Sequence, residues 1–175
     1  MSLETYTLIH VVISLIGIAS GLVVLYGMLN GRRFEAWTLV FLATTVATSL
    51  TGFGFPFHGF TPALGVGILS MVVLAIAVVA RYALHLMGAW RWIYVVGAVL
   101  ALYLNVFVLV VQIFLKIPVV HALAPTQTEP PFLFAQASTA AIFMALGVLA
   151  VRRFRIGSTI ATASGGPVAG SPAHP

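Results

Sequence analysis

The stretch YTLIHVVISLIGIASGLVVLYGML, residues 6–29, decides the fold class of this chain. It contains no Asp, Glu, Lys or Arg, and it is longer than the roughly 20 apolar residues that a helix needs to cross the hydrocarbon core of a bilayer. Glu4 precedes it without any basic segment, and Arg32 and Arg33 follow it, which is not the pattern of a cleaved secretory signal. We interpret the stretch as a retained transmembrane helix.

The composition extends this interpretation to the rest of the chain. Of the 175 residues, 61% are hydrophobic and only 6% are charged, whereas roughly a quarter are charged in ordinary soluble domains. So few charges cannot cover the water-facing surface of a globule of this size, but lipid accepts an apolar exterior. The sequence therefore predicts an all-α integral membrane protein, with the lipid bilayer as its first partner.

Further apolar stretches follow the first one. Thr61 and Pro62 are a start signal for the third, because Thr is a good N-cap and Pro suits the first helical turn. We predict a compact bundle of about five transmembrane helices in a single domain, residues 1–156. The predicted helices cover residues 6–29, 37–53, 62–84, 92–115 and 131–151. Residues 157–175 are rich in Gly, Pro, Ser, Thr and Ala without apolar periodicity, which predicts a disordered tail.

Basic residues at the ends of the apolar stretches predict the orientation. The 8 Lys and Arg are Lys116 and seven arginines, and alternating loops place all the arginines on one side. Such an excess marks the cytoplasmic side. We expect the N-terminus outside, the C-terminus in the cytoplasm and a location in a bacterial inner membrane. The formal charge of +5 has the same origin and does not indicate nucleic-acid binding.

One face of the first helix carries small and polar residues. They recur at steps of four, three and four, which places them in one stripe of a helix. The residues are His10, Ser14, Gly17 and Gly21. Because G-x-x-x-G pairs let two helix backbones approach closely, we predict Ser14, Gly17 and Gly21 as helix-packing residues. His10 then faces protein rather than lipid.

Three amide side chains in the later helices also require partners. An unpaired amide in hydrocarbon costs several kcal/mol, by order of magnitude. We therefore expect Asn105, Gln112 and Gln136 to face inward, and we predict that they form an outward-facing polar pocket with His10. The threonines of the second helix indicate no site, since a hydroxyl can bond to the carbonyl one turn back.

A metal site is one interpretation of the outer histidines. His10, His58, His121 and Glu129 offer imidazole and carboxylate groups, which suit a divalent metal such as zinc, copper or iron. The candidate cofactors are a divalent metal ion or a single haem b. No H-E-x-x-H spacing supports a metal, and the chain has no Cys to supply thiolates. The alternative is that these histidines are interfacial or bond to neighbouring amides.

The sequence therefore leaves two functions open, and it contains no catalytic constellation that identifies an enzyme. The first is a small polytopic inner-membrane protein whose outer pocket binds a metal, haem or small ligand. The second is a structural or accessory subunit that packs on a partner membrane protein or on another copy. On the cytoplasmic side we interpret Arg81, Tyr82 and His85 as interfacial anchors that extend to the lipid headgroups.

Overall fold

The computed structural model describes residues 2–55 and 62–154, and this part of the chain is helical without strands. The prediction of an all-α fold is confirmed. His58 and the tail lie outside the described residues. The helices are α1 Leu3–Leu29, α2 Glu35–Gly52, α3 Pro62–Val78, α4 Trp90–Lys116, α5 Pro118–His121 and α6 Pro130–Arg153. A π-helical turn, Val79–Ala83, continues α3.

Four of the helical segments are long and apolar enough to cross a membrane. They are Leu3–Leu29, Leu64–Ala83, Trp90–Lys116 and Pro130–Arg153. The helix α2 has 18 residues, and its hydropathy is lower than that of these four segments. The reason is that Glu35 and several threonines occur among its apolar side chains. The chain is thus a helical bundle with the length and composition of a multi-pass membrane protein.

The helix α4 is the central element of the bundle. It contacts α1, α3, α5 and α6, while α2 packs between α1 and α3. Large apolar side chains fill the middle, and Phe41, Leu74 and Leu102 are almost completely buried there. Many other Leu, Ile, Val and Phe side chains lie on the outside, as a lipid solvent requires.

The small-residue face of α1 packs inside the same chain. Gly17 and Gly21 are both buried. A Cβ atom on Gly21 would lie 2.6 Å from Leu102 Cδ1 and 2.8 Å from Phe41 Cε2, which is too close for any larger residue without movement. The Ser14 hydroxyl donates to the carbonyl of its own helix one turn back. This face of α1 is therefore occupied by α2 and α4.

The bundle has two chemically different halves. We name residues 2–17, 44–55 and 105–136 the histidine half, and residues 24–38, 79–98 and 147–154 the arginine half. Hydrogen bonds join the helix ends of the arginine half: Arg91 Nη1 donates to Phe154 O at 3.0 Å, and Arg153 Nη1 donates to Leu29 O at 3.4 Å.

The interpretation of Arg81 as an interfacial anchor is wrong. Arg81 lies in the π-helical turn, and its side chain is only 6% exposed. Tyr82 and His85 are exposed, in agreement with an interfacial position. The π turn shifts the helical register locally, and within it Ala80 and Arg81 are buried while Tyr82 and Ala83 are exposed.

Candidate functional site

His10 connects α1 to the end of α2. Its Nδ1 lies 2.8 Å from Thr51 Oγ1. The single hydroxyl proton of Thr51 is already donated to Ala47 O, at 2.7 Å. Because the hydroxyl oxygen can then only accept, His10 Nδ1 carries the hydrogen; this tautomer is assigned from the hydrogen-bond network. Neutral His10 therefore keeps a lone pair on Nε2.

One aromatic side chain, that of Phe55, packs between His10 and Tyr6. The Phe55 ring centroid lies 5.2 Å from that of His10 and 5.1 Å from that of Tyr6, in both cases edge to face. The Tyr6 hydroxyl donates to Thr51 O at 2.6 Å. These contacts hold a half-buried imidazole between two helices rather than over an open cavity.

Asn105 and Gln136 also bond to neighbouring helices. Asn105 Nδ2 donates to Thr45 Oγ1 at 3.3 Å, which joins α4 to α2. Gln136 is buried, and its Nε2 donates to Phe107 O at 3.2 Å, which joins α6 to α4. Within the described residues, Gln136 Oε1 has no hydrogen-bond partner. Both amides thus lie where the sequence predicts them, but each has its own partner.

Gln112 differs from the expectation, since its side chain is exposed on the surface of α4. Burial along this face of α4 falls from Tyr94, which is 1% exposed, through half-buried Asn105 to Gln112. The neighbouring helices therefore cover the face only in part. Gln112 is about one turn from the end of the helix at Lys116, where an amide can reach headgroup water without a protein partner.

The segment after α4 has a compact structure of its own. Phe114, Ala124 and Phe132 form a small apolar cluster. His121 Nδ1 donates to Phe114 O at 3.1 Å, and Gln127 Nε2 donates to Val111 O at 3.3 Å. The turn helix α5 and the following loop are thus fixed against the end of α4.

Glu129 organises the end of this segment, just before α6. Its carboxylate accepts hydrogen bonds from the Thr126 amide and hydroxyl and from the Thr128 amide. Desolvation acts to raise the pKa of the Glu129 carboxyl, but these hydrogen bonds outweigh it and hold the pKa below its ordinary value. The carboxylate caps the two loop amides, whereas it makes no hydrogen bond to the N-terminus of α6.

The predicted metal ligands do not form a group in the described residues. His10, His121 and Glu129 each bond to their own neighbours, and His58 lies outside the described part. Across residues 2–55 and 62–154, no three His, Asp or Glu side chains come close enough together to hold a metal ion. The partner that the sequence reasoning missed is Thr51, whose hydroxyl was expected to serve its own helix only.

A second polar constellation lies in the arginine half. Arg81 Nη2 donates to Glu35 Oε2 in an ion pair. The guanidinium Cζ lies 5.1 Å from the Tyr94 ring centroid and 5.6 Å from that of Tyr82, within range of a cation–π interaction. The sequence contains one signal of this constellation, namely Arg81, which is a charged residue inside an otherwise apolar stretch.

No family model, curated protein or solved structure matches this chain.

Proposed function

We propose that the chain is a protein of a bacterial inner membrane that crosses the bilayer five times, with the N-terminus outside and the C-terminus in the cytoplasm. Four apolar helices and the position of α2 between α1 and α3 support five crossings. The contacts of Arg81 with Glu35 and of Arg153 with Leu29 support a common side for the arginine-bearing ends. The excess of arginines there favours the cytoplasmic side.

Its function in this proposal is that of a structural or accessory subunit, which acts by packing on another membrane protein. The observation that carries this proposal is the pairing in the histidine half. His10, Asn105 and Gln136 each bond to a neighbouring helix, and such bonds join helices. Polar groups that pair in this way stabilise the bundle, so a partner protein would bind to the outer surface of the bundle instead.

The contact surface in this proposal is α6. Only 6% of its apolar stretch is buried, against 33% in each of the other three long apolar segments. Its exposed face carries Ala137, Ala141 and Ala145 at steps of four, beside the protruding side chains of Phe134 and Met144. Small residues at this spacing allow the backbone of a second helix to approach closely. The proposed partner is a transmembrane helix of another membrane protein.

Photo-crosslinking in native membranes tests this assignment. A crosslinking amino acid at Ala141 is compared with one at Ala75, an exposed alanine on α3. We expect a defined protein adduct from Ala141 and only lipid adducts from Ala75. Lipid adducts alone at both positions would contradict the proposal, and an adduct with a second copy would replace the accessory function by self-assembly.

A ligand at His10 is the second candidate function. It is favoured by the Nε2 lone pair of the assigned tautomer, which has no partner among the described residues. A metal ion, a single haem b or a small hydrogen-bonding ligand would bind to this nitrogen. Absorption spectroscopy and metal analysis of the protein purified in detergent test this candidate. A Soret band or stoichiometric metal that is lost in His10→Ala and kept in His121→Ala supports it, whereas a colourless and metal-free wild type counts against it.

A further inference from the structure

A small cavity opens in the arginine half, where α1, α2, α4 and the π-helical turn meet. Its volume is about 10 Å³, comparable to the space that one water molecule or one oxygen atom needs. Its polar lining comes from three arginines, a threonine hydroxyl and a tyrosine. These residues are Arg32, Arg33, Thr38, Arg81 and Tyr94.

Two buried groups in this lining lack a hydrogen-bond partner. Arg81 donates through Nη2 to Glu35, but its Nε–H is buried and bonds to nothing in the described part of the chain. The Tyr94 hydroxyl lies close to Thr38, and it is also buried without a hydrogen bond of normal geometry to any described residue. A buried donor without an acceptor is costly. Since an arginine nitrogen can only donate, the missing group is an acceptor such as an oxygen atom.

The charges around the cavity favour an anion. Arg32, Arg33 and Arg81 line it, and the nearest carboxylate, that of Glu35, belongs to a side chain that is 68% exposed. The Arg33 guanidinium lies 5.7 Å from the Phe154 ring centroid. Three cations against one solvated carboxylate leave a positive potential at the cavity mouth, and arginine matches the geometry of phosphate oxygens.

The depth of the cavity in the bundle fits a lipid headgroup. All 3 tryptophans of the chain belong to this half or directly border it. Trp37, Trp90 and Trp92 are 49%, 38% and 49% exposed, and exposed tryptophans typically mark the membrane interface. The cavity therefore opens at the level at which lipid phosphates lie.

We propose that this cavity binds the phosphate of an anionic membrane lipid, with one phosphate oxygen inside, facing Arg81 and Tyr94, and the rest of the headgroup between Arg32 and Arg33. The small volume admits one oxygen and leaves the acyl chains in the bilayer. Arg81 then has two acceptors, Glu35 on one side and the lipid oxygen on the other. The cation–π contact with Tyr94 holds the guanidinium plane in position for both.

Native mass spectrometry of the full chain in detergent tests the proposal. The protein is titrated separately with phosphatidylglycerol, with zwitterionic phosphatidylcholine and with inorganic phosphate. We expect one phosphatidylglycerol to bind at least about tenfold more tightly than phosphatidylcholine, by the order of magnitude of one or two arginine contacts. Equal binding of the two lipids overturns the proposal. Saturation by inorganic phosphate alone, without lipid preference, would show that the ligand is free phosphate instead.

Matched variants locate the site. Arg32→Gln removes one charge from the cavity, whereas Arg152→Gln removes one charge from the same end, and Arg152 is not part of the cavity lining. We expect Arg32→Gln to lose the preference for phosphatidylglycerol by about fivefold and Arg152→Gln to change it less than about twofold. Equal losses in both variants would mean a diffuse surface effect and overturn the site.

Tyr94→Phe is a conservative second variant, because it removes only the buried hydroxyl. We expect it to weaken phosphatidylglycerol binding about fivefold, the order of one hydrogen bond. Unchanged binding, together with an unchanged unfolding temperature, would mean that the hydroxyl faces a water molecule, and the proposed position of the phosphate oxygen would then be wrong.

Discussion

His10 and Arg81 are both ionisable side chains drawn into a bundle of apolar helices, but their surroundings differ. His10 bonds to a threonine one helix away and packs edge to face against Phe55. Arg81 has an ion pair and two aromatic contacts, yet its Nε has no acceptor within the described residues. Each half contains buried polar atoms without a described partner, but those of the histidine half are the oxygens of Thr48 and Gln136, whereas the arginine half leaves a cationic donor unpaired beside a cavity.

Burying a polar side chain costs free energy in both halves, but the consequence depends on whether the side chain finds a partner. A buried polar group that finds a protein partner contributes to helix–helix association. A buried donor that finds none either destabilises the fold or indicates a bound molecule that supplies the acceptor. His10, which has a protein partner, therefore fits a structural role, whereas Arg81, a buried cationic donor beside a cavity, fits a ligand. The following measurements test this difference, in order of decreasing expected effect.

Glu35→Gln tests the arginine half most strongly, because it leaves Arg81 buried without its carboxylate. Breaking a buried ion pair costs about 3–5 kcal/mol, and the exposure of Glu35 reduces this to about 2 kcal/mol. Equilibrium unfolding in a zwitterionic detergent measures the loss. Added phosphatidylglycerol is expected to restore part of it. If Glu35→Gln is as stable as wild type in the absence of anionic lipid, then Arg81 does not need a counter-ion and the interpretation is wrong.

A double-mutant cycle on His10 and Thr51 tests the histidine half. The single variants His10→Ala and Thr51→Val and their combination are compared by the same unfolding assay. We expect a coupling free energy of about 0.6–1 kcal/mol, the usual value for a hydrogen bond between membrane helices. The coupling should not depend on anionic lipid. A lipid-dependent coupling would remove the distinction between the two halves.

Gln136→Leu has a smaller expected effect. The substitution loses the hydrogen bond to Phe107 O, but it also removes the buried and unpaired Oε1. These contributions oppose each other, so we expect stability within about 0.5 kcal/mol of wild type. A loss of more than about 2 kcal/mol would instead indicate that Gln136 belongs to a larger hydrogen-bond network.

The smallest expected effect is a pH dependence at Glu129. Hydrogen bonds lower its folded-state pKa below the ordinary value of 4.5. A lowered pKa stabilises the loop fully above the unfolded value, and this stabilisation is lost as the pH falls through the folded value. The amide chemical shifts of Thr126 and Thr128, followed by NMR in micelles, should titrate with a midpoint below 4.5. Glu129→Gln should abolish the titration, and a midpoint above the ordinary value would contradict the capping role.

The positions of the long helices could be predicted because their signals are local. The threonine–proline pair predicts a third helix from residue 62, and α3 covers Pro62–Val78, although Thr61 lies outside the described residues. The last helix was expected over residues 131–151, and α6 covers Pro130–Arg153. The turn helix α5 escaped prediction, since four residues are too few to show a helical period.

The candidate site was less predictable, because a polar residue in an apolar helix reveals a need for a partner but not its identity. Asn105 and Gln136 bond to neighbouring helices, whereas Gln112 is exposed near the end of its helix. The buried position of Arg81 could not be predicted, because the π-helical turn that contains it has no recognised sequence signal.

The sequence by itself determined that the chain is a bundle of long apolar helices, because composition and helix length follow from the solvent and need no knowledge of contacts. It also determined the uneven distribution of basic residues along the chain. Only the tertiary structure decided that Arg81 meets Glu35, 46 residues away, and that His10 meets Thr51, 41 residues away. The physical reason is that such pairs depend on how packed helices are rotated and shifted against each other, which no single stretch of sequence specifies.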